Sequence, residues 1–82
     1  MRRTAIIDGP IDVIKEEPIF TCIVPISIDN IPLFAGMEGD LGKVIANTIH
    51  TGDKVFVEGN LIREVTYGYV FMITGLWPLD HE

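Results

Sequence analysis

Residues 39–61, GDLGKVIANTIHTGDKVFVEGNL, read as one helix, one sharp turn and one bent strand. Leu41, Val44, Ile45, Thr48 and Ile49 recur at helical spacing and make a single stripe about three turns long. Asp40 is placed to cap the helix, because its carboxylate can accept from the free N–H groups of the first turn. His50-Thr51-Gly52 supplies the stop, with Gly52 able to take the left-handed conformation that ends many helices. His50 then reads as a helix C-terminal residue that favours the dipole. Lys54 to Glu58 alternates as a strand until Gly59 interrupts it. A glycine inside a strand pattern marks a bulge or a barrel corner, where a residue without Cβ bends cheaply.

Upstream of the helix, residues 19–27 give the cleanest alternation in the chain. Phe20, Cys22, Val24, Ile26 and Ile28 share one face, predicted to be interior, and Thr21, Ile23, Pro25 and Ser27 share the other. Pro25 has no N–H for a ladder, so this strand is expected to be unpaired or bulged there. Before it, Thr4 to Ile14 reads as one long strand. Ala5, Ile7, Ile11 and Val13 lie on one parity, and Gly9-Pro10 is a terminating turn or a kink, of which the kink is preferred. Asp29-Asn30 marks a short turn into a weaker strand, Ile31 to Met37. Past Gly59 the strand continues to Val65. Tyr67-Gly68 makes a tight connection, and Tyr69 to Trp77 is the last strand. Both of its parities are apolar where one small barrel needs one, so its outer face is expected to meet a ligand or a partner chain.

Eighty-two residues make one domain, and a net charge of −6, from six Lys and Arg against twelve Asp and Glu, sets the surface average against phosphate. A nucleic-acid binder of this composition needs a local basic groove. No apolar run reaches the roughly 20 residues of a membrane helix, and the N-terminus is broken by Asp8 and Pro10 too early for a secretory signal. The single cysteine excludes an internal disulfide and a multi-cysteine zinc site, and Cys22 reads as an inert apolar residue. A cytoplasmic address is expected. There is no phosphate loop, nucleophile motif or metal-ligand spacing. Asp8 and Asp12 read as a solvated face. No cofactor, no membrane contact and no enzyme activity are expected.

The helix pattern LxxVIAxxI followed by TGDKVFVEGNL resembles the bacterial single-stranded-DNA-binding (SSB) family. The resemblance implies an all-β OB-fold, a five-stranded Greek-key barrel with one α-helix between its third and fourth strands. It also implies single-stranded DNA as partner, self-association as a homodimer or homotetramer, and another replication or recombination protein as a further partner. Some family features are thinned. Ile31-Pro32 stand where the family usually has an aromatic, and residues 62–67 keep one base and one aromatic while adding an acid. The family's long hairpin is reduced to the turn at Tyr67-Gly68, and the family's acidic tail is not expected.

OB-folds hold single strands with aromatic platforms and basic side chains. The candidate DNA-binding residues are Phe34, Lys54, Phe56, Arg63, Tyr67, Tyr69 and Trp77, with Phe71 as a further aromatic. Lys15, Lys43, Arg2 and Arg3 are the other cations. Phe56 lies opposite in parity to Val55 and Val57 and so faces away from the core, toward a ligand or a subunit. Two functions follow. One is single-strand binding with little sequence preference. The other is an OB-fold protein-interaction or oligomerisation module that has lost nucleic-acid binding. Apolar strand faces at Ile6, Ile23, Phe56, Tyr69, Phe71 and Ile73 predict self-association, with Thr4 to Asp8 near a two-fold axis.

Overall fold

Cys22, Val24 and Ile26 are fully buried, as their alternation predicts, on the strand Thr21–Ile28. The computed structural model describes residues 2–79. Its elements run β1 (Arg2–Ile7), β2 (Asp12–Lys15), β3 (Thr21–Ile28), β4 (Ile31–Glu38), α1 (Gly39–Ala46), β5 (Lys54–Glu64) and β6 (Gly68–Pro78). The sheet order is β1-β5-β6-β4-β3-β2, and a further β1–β3 pairing closes β1, β5, β6, β4 and β3 into a ring. All pairings are antiparallel except β4–β6. This is the five-stranded OB barrel, with α1 on the connection between the strands that count third and fourth in it.

The long first strand divides into β1 and β2. Pro10 donates no ladder bond, and a Cβ on Gly9 would stand 2.9 Å from the Pro25 ring, so the chain bends there against β3. The Asp8 N–H donates to the Pro25 carbonyl at 2.8 Å, which turns the missing N–H of Pro25 toward the gap between β1 and β2. Ala5 and Ile7 are buried as expected, whereas Val13 is 43% exposed. β2 pairs only with β3 and is bulged between Val13 and Lys15, so it lies on the barrel's rim. At the next turn Asp29 and Asn30 both have positive φ, 55° and 66°, the geometry of a two-residue hairpin loop.

The helix differs from its predicted form. It ends at Ala46, its N-cap is Glu38 with no side-chain capping bond, and Asp40 lies in the first turn. The buried line is Gly42, Ile45 and Ile49, while Val44 is 64% exposed. Gly42 sets this rotation, since a Cβ there would meet the Met37 carbonyl carbon at 3.1 Å. The last carbonyls are met by the Thr48 hydroxyl, bonded to the Val44 oxygen at 2.6 Å, and by the Asn47 amide, bonded to that of Lys43 at 3.0 Å. Gly52 has φ 95°, but it turns the chain into β5 and does not end the helix. His50 lies beyond the helix, with its Nδ1 3.8 Å from the Asp53 carboxylate rather than on the last helical turn.

The last strand is apolar on both parities because Val70 and Met72 floor the outer face opposite the inward Phe71 and Ile73, and a β5–β6 irregularity then exchanges the two faces. Glu58 pairs with Gly75 but Gly59 pairs with Ile73, so the extra residue is Thr74 on β6. Its hydroxyl donates to the Glu58 carbonyl at 3.1 Å. Gly59 is the close-approach residue opposite, where a Cβ would stand 1.9 Å from the Met72 oxygen. The extra residue flips the parity of β6. Phe71 and Ile73 point inward before it, each 5% exposed, and Trp77 points outward after it. Phe71, Ile73 and also Ile23, at 6%, are therefore buried within one chain and offer no face for assembly.

Candidate nucleic-acid interface

Phe34 and Tyr67 come from distant parts of the chain and meet edge to face, with ring centroids 5.4 Å apart and planes at 65°. Phe34 is carried by β4, beside Pro25 on β3 and Val70 on β6. Tyr67 belongs to the connection between β5 and β6. With Tyr69, Pro25, Pro32 and Asp8 they line a shallow depression of about 390 Å³. The Asp8 carboxylate accepts a hydrogen bond from the Ser27 hydroxyl and belongs to this surface.

A second depression, of about 470 Å³, shares Tyr67 and extends the same outer face from β2 to β5. Its floor is apolar and well covered: Ile23, Gly36 and Val70 are buried and Met72 is half-buried. Gly36 keeps the floor low, since a Cβ there would stand 2.7 Å from the Met72 sulfur. Ile14 and Lys15 flank it on the β2 side, and Ile62 and Glu64 on the β5 side, with Glu38 also lining it. Lys15 is the cation among these lining residues. Arg63 pairs across the hairpin with Tyr69.

The seven candidate residues divide between two surfaces. Phe34, Tyr67 and Tyr69 gather on the grooved face, with Arg63 beside Tyr69. Lys54, Phe56 and Trp77 lie on the outer face of β1, β5 and β6, where Phe56 pairs with Thr4 on one side and Trp77 on the other. There the Trp77 ring folds over Gly75, within 2.8 Å of where a Cβ would be, and the Arg2 guanidinium stacks 4.5 Å from the ring centroid. Phe71 belongs to the core. Arg3 points to the barrel end remote from the helix and pairs with Asp29 at 3.7 Å.

Sequence reading missed the groove floor and Glu64. The floor is built from the polar-parity side of β3, and only the β6 parity flip reveals what lies across from it. Glu64 carried a local signal, an acid placed before unladdered N–H groups in a short turn, and its Oε1 accepts from the Thr66 N–H at 2.9 Å. Cys22 is fully buried, and that burial raises its thiol above the usual range. Among the described residues no cluster of His, Cys, Asp or Glu is suited to a metal ion, and no helix is long and apolar enough to cross a membrane.

No protein-family model and no curated protein matches the chain. Among solved structures, the fold is similar to that of the SSB domain of a protein from Synechococcus sp., with a TM-score of 0.70 at 13% sequence identity. The match covers 94% of this chain and 89% of that one. The chain thus has an SSB-like OB-fold.

Proposed function

We propose that the chain binds single-stranded DNA with little sequence preference, on the outer face of β3, β4 and β6. The observation that carries this reading is the Phe34–Tyr67 pair standing on the grooved face. The strand 2–3 face and the loop joining strands 4 and 5 are where OB-folds take oligonucleotides, and that loop holds Tyr67 here. Bases stack on Phe34, Tyr67 and Tyr69, and phosphates approach Lys15 and Arg63. Stacking tolerates any base, so the binding carries little sequence information.

With Lys15 lining the groove and Arg63 on the other face of the β5–β6 hairpin as the second cation within reach, affinity is modest and only weakly electrostatic. A single strand releases about 0.7 counterion per neutralised phosphate, which for two phosphates gives a log–log salt slope of about −1.4. Titration of labelled oligo-dT by anisotropy at several salt concentrations tests this. Micromolar binding with a shallow negative slope is expected, and no binding at low salt would refute it. The acids lining the groove, Glu38 and Glu64, favour a second reading, a protein-interaction module that takes a cationic segment on the same face. That reading gains if oligo-dT leaves the protein unshifted at micromolar concentration.

We further propose self-association through the outer face of β1, β5 and β6, where Ile6, Phe56 and Trp77 stand together. Ala5 and Ile6 already pair with both β3 and β5, and Ile7 pairs with β3, so β1 offers another strand its edge only at Arg2–Thr4. A strand-paired two-fold axis therefore belongs at that end and not along the whole of Thr4 to Asp8.

A further inference from the structure

The tip of the β5–β6 hairpin is almost wholly solvent-exposed. From Asn60 to Tyr69 every residue is exposed except Tyr67, which is half-buried. One tyrosine is thus held in place on a segment with little packing of its own. Two contacts hold it. Its ring meets Phe34, and its backbone N–H, together with that of Thr66, is directed at the Glu64 carboxylate, at 3.4 and 2.9 Å respectively. Three residues, Val65 to Tyr67, connect the strands, and their N–H groups lie beyond the last ladder pair, Glu64 with Gly68. Unsatisfied turn N–H groups otherwise turn to water and let the loop sample other conformations.

We propose that Glu64 is a positioning residue for the stacking platform: its Oε1 gathers the N–H groups of Thr66 and Tyr67 and so sets the Tyr67 ring against Phe34. This deepens the single-strand reading, on which it rests. It also explains an acid beside a phosphate path. The carboxylate opposes the ligand by its charge and supports it through the turn, and the two effects are separable. Glutamine keeps an oxygen acceptor on a side chain of the same length and loses the charge, whereas alanine loses both. Glu64→Gln and Glu64→Ala have identical net charge, so any difference between them reports the acceptor.

The experiment compares the wild-type chain with both variants by ring-to-ring NOEs in the free protein and by anisotropy with labelled oligo-dT. Glu64→Gln should retain the Phe34–Tyr67 NOEs and bind about two-fold tighter at low salt, because a like charge has gone. Glu64→Ala should lose the NOEs and bind about three- to ten-fold weaker than Glu64→Gln, the range that one weakened stacking contact spans. A melting temperature equal to that of the wild type shows that the loss is confined to the tip. The proposal is overturned if Glu64→Ala keeps the ring contact, if both variants lose it, or if the two bind DNA equally. Should no form of the chain bind oligo-dT, the single-strand reading fails, and the NOEs alone decide whether Glu64 sets the ring.

Discussion

Gly59 and Cys22 show how much one atom decides in so small a barrel. A methyl group at Gly59 would collide with the Met72 carbonyl of the neighbouring strand, which is backbone and cannot rotate away. Gly59→Ala is expected to cost about 3 kcal/mol, the upper part of the usual overpacking range. It should lower the melting temperature by roughly 10 °C or more, on the scaling for domains of this size. A calorimetric scan within about 2 °C of wild type would show that β6 moves aside freely. Cys22 predicts a pH effect. Its folded thiol titrates above the ordinary value of 9.0, so the unfolded chain loses its proton first as pH rises. Its contribution to stability is complete below that value and is lost as pH climbs toward the folded pKa. Urea unfolding should show stability falling above about pH 9, and Cys22→Ala should make that limb shallower. A limb of equal slope in the variant would assign the fall to other groups.

At the scale of elements, the grooved face carries the functional prediction. Phe34→Ala removes both a stacking ring and the support for Tyr67. It should weaken oligo-dT binding about ten-fold or more, given ~1–3 kcal/mol for each stacked base. Trp77→Ala should leave that affinity nearly unchanged, because Trp77 stands on the other face. Equal losses in the two variants would mean that the strand wraps both faces. The strands themselves were legible because period-two patterning at Cys22, Val24 and Ile26 and the Asp29-Asn30 turn are local signals. The helix was legible in existence but not in rotation. Its apolar residues read as a single stripe through Leu41, Val44 and Ile45, and a contact with Met37, made by a glycine that hydropathy does not register, turned the helix so that the line through Gly42, Ile45 and Ile49 is the buried one. The parity of β6 was hidden for a similar reason. Thr74 carries no mark of an extra residue, so Phe71 and Trp77 read as one face when they lie on opposite sides. The candidate site inherited that error, and its seven residues fell into two groups.

For the whole molecule, the question is what remains to be covered once the core is accounted for. With Ile23, Phe71 and Ile73 already inside, the outer patch of β1, β5 and β6 reduces to Ile6, Phe56 and Trp77, the first and last 38% and 40% exposed. Burying a few hundred Å² yields several kcal/mol at about 25 cal/mol per Å². Association costs of about 4–15 kcal/mol offset most of that. A dimer that dissociates on dilution through the micromolar range is therefore expected, rather than a permanent assembly. Light scattering or sedimentation across that range tests it, with Phe56→Glu expected to be monomeric throughout. A wild-type chain that stays monomeric at the highest concentration would remove this face from assembly.

The indole stacked under Arg2 has an optical consequence. The chain has a single tryptophan, so all long-wavelength emission comes from one place, the side of the barrel turned away from the groove. A strand laid on Phe34 and Tyr67 should leave that emission almost dark to its arrival. Dilution, or loss of the Arg2 guanidinium, should change it. The protein thus carries its own label for subunit contact, and any quenching caused by an oligonucleotide would measure how far occupancy of one face is felt on the other.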